Sequence, residues 1–273
     1  MTYEEKKRTL IDFIGQLAGK DIVLAFSGGV DSGLLLKICC EATARQGAKV
    51  YAVTIHTQLH PMKDLEISQR VAVESGAEHL VIRVDELEEA GIAMNPVDRC
   101  YRCKRLLFQK IIDLSKEMGA GCVMDGTNDD DMHVYRPGVK VLAELGVLSP
   151  LAKFGLTKKE VRQLAEEYGI SVAQRPSTPC MATRFPYGTK LSYEAMQKAD
   201  EAEQWLRGKG FYNVRVRVHG NVARIEVDQE DMERLLAMRE EVICHLKPLG
   251  YDYITLDLEG FRSGSMDINI KQS

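Results

Sequence analysis

Leu10, Phe13, Ile14 and Leu17 recur at helical spacing among charged positions, which predicts an amphipathic helix over residues 4–18. Asp21-Ile22-Val23-Leu24-Ala25-Phe26 follows, a short apolar run of the kind that lies inside a parallel sheet. A helix beginning near Asp31 or Ser32 should bury Leu34, Leu35, Leu36 and Ile38. Strands are then expected at Val50–Ile55, His79–Val84 and Gly121–Asp125. Helices are expected over 63–75, 104–118 and Lys158–Tyr168, the last ended by Gly169. This alternation predicts an α/β fold, a doubly wound, mostly parallel sheet covered on both faces. Ligands of such sheets bind beyond the carboxyl ends of the strands. The segments after Phe26, Val84 and Asp125 should therefore converge on one site.

The rhythm changes at Gln174-Arg175-Pro176-Ser177-Thr178-Pro179-Cys180, where two close prolines exclude regular structure. Beyond it, 192–209 reads as a helix. Asn213–Val218 and Val222–Val227 alternate about His219-Gly220-Asn221, a hairpin signal. A helix over 229–246 and a strand at Tyr251–Leu258 complete an α-β-β-α-β set. The expected organisation is a larger domain over 1–180 and a smaller α+β domain over 181–273.

Composition narrows the function classes. The 273 residues are 45% hydrophobic, enough for one large or two modest cores. Lys and Arg total 36 against 40 Asp and Glu, a net charge of −4, which argues against an extended nucleic-acid surface. No apolar run approaches a membrane span, and Met1–Arg8 lacks the plan of a secretory signal, so a cytoplasmic location is expected. Seven cysteines, an odd number, do not suggest a disulfide framework. Cys39, Cys40, Cys122 and Cys244 fall in apolar or helical contexts that suit packing.

Chemistry concentrates in a few segments. Ser27-Gly28-Gly29-Val30-Asp31-Ser32 joins the first strand to its helix, and two glycines let backbone N–H groups approach an anion at a helix N-terminus. It is no Walker loop, because no lysine follows at the required spacing. Asp125-Gly126-Thr127-Asn128 leaves a strand end, where carboxylates beside a triphosphate suit Mg²⁺, and Tyr135-Arg136-Pro137-Gly138 then adds a cation. Cys100-Tyr101-Arg102-Cys103 stands just before the helix expected from Lys104, amid Arg99, Arg102 and Arg105. Alone, this C-x-x-C leaves zinc, redox, cluster and accidental readings open, and spacing does not tie Cys180 to it. Arg215 and Arg217 share one face of the hairpin and could grip phosphate or simply face solvent. Arg262 is a third cation of this kind.

The Ser27–Ser32 loop resembles the SGGxDS loop of the PP-loop ATP pyrophosphatases, which cleave ATP between the α- and β-phosphates, hold pyrophosphate in this loop and transfer AMP to a substrate. With RCYRCK, DGTNDDD and YRPG, CMATRFPYGT, VRVRVHGNVARIE and DLEGFRSG, the chain from about 20 to 265 resembles the LarE family. Those proteins are pyridinium-3,5-biscarboxylic acid mononucleotide sulfurtransferases of nickel-pincer nucleotide synthesis, the lactate racemase cofactor. The resemblance implies a PP-loop ATP-binding domain over 1–180 and a C-terminal substrate and oligomerisation domain over 181–273. Some members give up sulfur from a cysteine, which becomes dehydroalanine; others bind a [4Fe-4S] cluster through three cysteines. Cys100, Cys103 and Cys180 match the second pattern, which implies cluster-bound sulfide as the sulfur source.

In the reaction so implied, ATP adenylates a carboxylate, pyrophosphate leaves into the loop, and sulfide displaces AMP to give a thiocarboxylate. Ser27, Gly28, Gly29, Asp31, Ser32 and Asp125 would hold ATP and Mg²⁺. Lys104 and Arg184 would stabilise developing charge, with Cys180 catalytic. Arg215 and Arg217 would hold a substrate phosphate, and Glu203 matches an active-site glutamate. The family departs here at Val134, where Asp often precedes the YRPG element. A homohexamer, an unidentified sulfide donor, and no membrane or nucleic-acid partner are implied. The alternatives are a [4Fe-4S]-dependent PP-loop tRNA thiolase and a nucleotide-binding regulatory module.

Overall fold

A computed structural model describes residues 1–60, 62–133, 137–175, 179–262 and 264–265. The expectations at Val134, at Tyr135 and Arg136, and at Pro176–Thr178 lie outside the described residues. In chain order the elements are α1 (Tyr3–Leu17), β1 (Ile22–Ala25), α2 (Val30–Ala44), β2 (Val50–His56), α3 (Met62–Ser75) and β3 (Glu78–Arg83). Then come α4 (Glu86–Glu89), α5 (Arg99–Glu117), β4 (Cys122–Met124), α6 (Pro137–Glu144), α7 (Pro150–Lys153) and α8 (Lys158–Glu167). The rest are α9 (Tyr193–Gly208), β5 (Val214–His219), β6 (Val222–Val227), α10 (Met232–Ala237), α11 (Arg239–Leu246) and β7 (Tyr253–Leu256). The chain divides into two compact units: residues 1–92 with 98–178, and residues 93–97 with 179–273.

The first unit carries a parallel sheet in the order β3-β2-β1-β4. Because side chains alternate along a strand, β1 serves two cores. Ile22 and Leu24 pack with Leu10 and Ile14 of α1, Leu34 and Leu35 of α2, and Val161 and Leu164 of α8. Val23 points the other way, to Phe108 and Ile111 of α5 and Leu142 of α6. The sheet is thus doubly wound, as expected. β1 lies between β2 and β4, so the loops leaving β1 and β4 part from one another there, the place where such sheets bind ligands.

In the second unit β5 and β6 form the hairpin, and β7 joins β6 in parallel after a helical crossover. Residues 93–97 are laced to the segment before α9: Asn95, at φ 46° and fully buried, donates from Nδ2 to the Phe185 and Pro186 carbonyls at 2.9 and 2.8 Å. The helix expected over 229–246 is broken into a 3₁₀ turn, α10 and α11, with Met238 between the two helices. Among the described residues, no helix is long and apolar enough to cross a membrane.

One boundary changes the chemistry. The helix expected from Lys104 begins at Arg99: the Arg102 N–H donates to the Asp98 carbonyl at 3.1 Å, and the Asp98 carboxylate, which does not cap the backbone, accepts from Arg102 Nε at 2.8 Å, one turn on. Cys100 and Cys103 therefore lie on α5, not before it.

Candidate active site

A cleft of about 410 Å³ opens at the carboxyl ends of β1, β2 and β4. Phe26 to Ser32 form one wall, Thr54 to Thr57 a second, and Asp125 to Thr127 a third. Gly28 sits at φ 69°, a conformation that L side chains rarely take, and a Cβ there would meet Ser68 backbone at 3.0 Å. At Gly126 a Cβ would fall 2.7 Å from the Ser32 nitrogen, so the segment after β4 lies backbone to backbone against the first turn of α2 at the cleft floor. Gly29 caps α2 without a side-chain bond to the helix, which leaves the first N–H groups of a 15-residue helix for an anion.

The expected polar residues assemble around this floor. Asp31 accepts from Asn128 Nδ2 at 3.0 Å and pairs with Lys158. Asp125, 6% exposed, accepts from Thr127 Oγ1 and Ser149 Oγ, each at 2.5 Å, with Lys104 Nζ 3.8 Å away. Ser27 and Ser32 hydroxyls lie 3.2 Å apart. Arg175 donates to the Gly28 carbonyl at 3.1 Å and to Asp64 at 2.5 Å. Lys158 and Arg175 line the cleft although sequence reasoning assigned them no chemistry. The only signal in the sequence was their charge, at a helix start and in a proline-rich loop.

The second unit holds a separate network of arginines and glutamates. Arg184 and Glu203 are buried and joined by Nε–Oε1 and Nη2–Oε2 bonds of 2.7 and 2.8 Å. Glu203 also accepts from Arg207 at 2.6 Å and from the Val216 N–H at 3.0 Å. Burial alone would raise its pKa, but the Arg184 bonds and charge, with the Val216 and Arg207 contacts, hold it below the usual range. Arg184 Nη1 also reaches the Pro179 and Cys180 carbonyls and Thr183 Oγ1, pinning the turn that carries Cys180.

Arg217 forms a similar bidentate pair with Glu226, at 3.0 and 2.9 Å, and donates to the Thr183 carbonyl. Arg215 differs. It donates to its neighbour's Val214 carbonyl, lies 5.1 Å over the Phe261 ring and has no carboxylate partner among the described residues. Burial first, then the Arg184 charge, push its guanidinium pKa down to about 10, which leaves it cationic at neutral pH. Arg262 instead pairs with Glu259 at 2.7 Å.

The metal expectations need correction. Among the described residues, no group of three or more His, Cys, Asp or Glu side chains could hold a metal ion. A cluster needs converging thiolates; Cys100 is exposed one turn from Cys103, and Cys103 Sγ is engaged with buried Glu86 at 2.5 Å. The [4Fe-4S] site expected at Cys100, Cys103 and Cys180 is thus not formed, and sulfur insertion from cluster-bound sulfide falls with it. Mg²⁺ at Asp31 and Asp125 meets the same objection, since among the described residues these two carboxylates are not joined by a third such side chain in a group that could hold a metal ion.

Residues 2–133 match the PP-loop domain family. Over 266 residues the chain is 35% identical to pyridinium-3,5-bisthiocarboxylic acid mononucleotide synthase of Lactiplantibacillus plantarum, covering 97% of this chain and 95% of that one. It is equally similar, at 35%, to an uncharacterized protein of Synechocystis, with 97% of each chain covered. More distant is the tRNA-specific 2-thiouridylase MnmA of Rickettsia bellii, 28% identical over 58% of this chain and 52% of its own.

Proposed function

The chain belongs to the PP-loop family that includes the pyridinium-3,5-bisthiocarboxylic acid mononucleotide synthase, and from that premise we propose that it is an adenylate-forming enzyme that transfers sulfur to an acid group of a small mononucleotide. The observation that carries the ATP half is the cleft: a glycine loop, an uncapped helix N-terminus and a strand-end carboxylate meet at a switch point of a parallel sheet. What supports the sulfur half is the thio product named for the L. plantarum relative.

The chemistry follows from the electrophile required. A carboxylate resists nucleophiles because its carbonyl is electron-rich and its leaving group would be oxide. Attack of its oxygen on the α-phosphorus of ATP forms an acyl adenylate and expels pyrophosphate with the bonding electrons. A thiolate can then displace AMP from the acyl carbon. We assign the sulfur to the polypeptide, at Cys180. Its thioester would eliminate across Cα–Cβ, leaving a thiocarboxylate on the acceptor and dehydroalanine in the chain. Arg184, by holding the Cys180 carbonyl, positions that thiol, and Lys104 beside Asp125 supplies a cation near the cleft wall. Arg215 is the group best suited to an acceptor phosphate, because among the described residues its guanidinium bonds no carboxylate.

The test is one incubation of protein with ATP and a pyridinium dicarboxylate mononucleotide, followed by mass spectrometry of small molecules and intact chain. Thiocarboxylate, AMP and pyrophosphate, with a chain lighter by H₂S, are expected. Pyrophosphate without a thio product refutes sulfur transfer. The MnmA match favours a second acceptor class, tRNA, and thiolated tRNA in a parallel incubation would install that reading instead.

A further inference from the structure

The glycine loop begins at one peptide, the unit that joins the Phe26 carbonyl to the Ser27 N–H. A planar peptide turns its two polar groups together, so whatever holds both ends sets the direction in which the loop leaves β1. Both ends are held by side-chain hydroxyls. Thr54 Oγ1, on β2, donates to the Phe26 carbonyl at 2.9 Å, and the Ser27 N–H donates to Ser32 Oγ at 3.4 Å. Ser27 Oγ then accepts from the Gly29 N–H at 3.4 Å, which carries the alignment into the glycines.

Thr54 is 7% exposed and has a second partner, His79 Nε2 of β3, at 2.8 Å. A threonine hydroxyl has one hydrogen, and a backbone carbonyl only accepts. The Thr54 hydrogen therefore goes to Phe26, and His79 Nε2 is the donor to Thr54. Burial pushes the His79 pKa below its ordinary value, so the ring is neutral at neutral pH, with its one N–H at Nε2. His79 stands opposite Ala52 in the β2–β3 register, two residues before Thr54 on the same face, and leans along the strands to reach it. Its ring also meets Phe26 edge to face, with centroids 6.4 Å apart at 90°. An apolar residue at 79 would serve the strand pairing equally well. The imidazole adds a donor that decides which way the Thr54 hydrogen points, from a half-buried place behind the cleft wall.

We propose that His79 is a positioning residue for nucleotide binding: acting through Thr54, it fixes the 26–27 peptide at the start of the glycine loop so that the loop N–H groups face the phosphates of ATP. Without the His79 donor the Thr54 hydroxyl is free to rotate off the Phe26 carbonyl, and the peptide loses the hold on one of its two ends. The assignment rests on the reading that the cleft takes ATP and is independent of the acceptor.

Two measurements test it: nitrogen-15 NMR of the histidine rings in the parent, and calorimetry with ATP well below the melting transition of each variant. The parent His79 ring should carry its proton on Nε2; a proton on Nδ1 overturns the proposal whatever the variants do. Thr54→Val should weaken ATP binding about tenfold and His79→Phe about threefold to tenfold. Thr54→Ser, which keeps the hydroxyl, and His79→Gln, whose amide nitrogen can donate from the place of Nε2, should recover most of the loss. A lowered melting temperature with parent-like ATP affinity in both Thr54→Val and His79→Phe means that the chain of bonds serves stability alone, and overturns the assignment. A parent that binds no ATP fails the reading of the cleft and this assignment with it, whereas ATP binding that both variants leave unchanged fails the assignment alone.

Discussion

Glu86 accepts a hydrogen bond from Cys103 Sγ at 2.5 Å, while its second carboxylate oxygen is buried with no hydrogen-bond partner among the described residues. The short charge-assisted hydrogen bond ties Cys103 Sγ to Glu86. Glu86→Gln keeps the shape and removes the charge. Alkylation of Cys103 by iodoacetamide at neutral pH, followed by peptide mass spectrometry, should accelerate by up to about tenfold as the sulfur is released from that bond. An unchanged rate in a folded variant would show that the pair does not control this thiol.

The Arg184–Glu203 pair predicts a stability effect with a definite pH direction. Removing one partner of a buried ion pair leaves an uncompensated charge and costs about 3–5 kcal/mol. Glu203→Ala should therefore lower the urea midpoint sharply. The folded pKa of Glu203 lies below its usual 4.5, so the folded state binds its proton less readily than the unfolded chain does. Its contribution is present in full above that usual value and is lost as pH falls through the folded pKa. The difference in stability between parent and variant should shrink on acidification below pH 4.5; a gap that widens there would contradict this sign.

At the cleft floor, Gly126→Ala is expected to act on nucleotide binding more than on folding. Its Cβ would overlap the Ser32 nitrogen at 2.7 Å, and the backbone on that side belongs to the first turn of α2. Relief requires the loop to shift, which moves the N–H groups away from an anion. ATP affinity measured by calorimetry should fall by about tenfold or more, with near-parent far-ultraviolet circular dichroism.

The parallel unit and its loop were readable from the sequence because they obey short-range rules. The β1 run, the SGGVDS hexapeptide and the Gly169 stop each announce themselves within a few residues. Lys158, Arg175 and Glu86 do not, since each acquires its role from a partner over a long sequence separation: Asp31, Gly28 and Cys103. The cysteines show the opposite failure. C-x-x-C spacing brings two thiols onto one turn, but it says nothing of a carboxylate arriving from α4 to occupy one of them. Periodicity likewise placed Arg215 and Arg217 on one face without showing that, among the described residues, it is Arg217 that bonds Glu226 through two nitrogens, although Arg215 stands opposite that glutamate in the ladder.

That last difference separates two neighbouring arginines by experiment. Arg217 is 5% exposed and bound to Glu226 through two nitrogens, so Arg217→Ala strips a buried carboxylate of its bidentate partner, leaves it only Arg224 at 3.1 Å and Ser265 among the described residues, and should destabilise the fold by about 3 kcal/mol. Arg215 makes no such bond among the described residues, and its replacement leaves Glu203 and Glu226 still paired with Arg184 and Arg217. Arg215→Ala should therefore melt within a few degrees of the parent. Its cost should appear in the acceptor KM, which rises about tenfold or more as a charge-assisted phosphate contact is lost. ATP affinity should be unchanged, and Arg215→Lys should recover only part of the loss, because an ammonium cannot reproduce a two-pronged grip. Steady-state kinetics with the mononucleotide acceptor, set beside thermal melts of the same variants, measure both effects. Equal acceptor KM values for parent and Arg215→Ala would remove this arginine from the acceptor site, and a large loss of stability would mean that the uncommitted charge is structural after all.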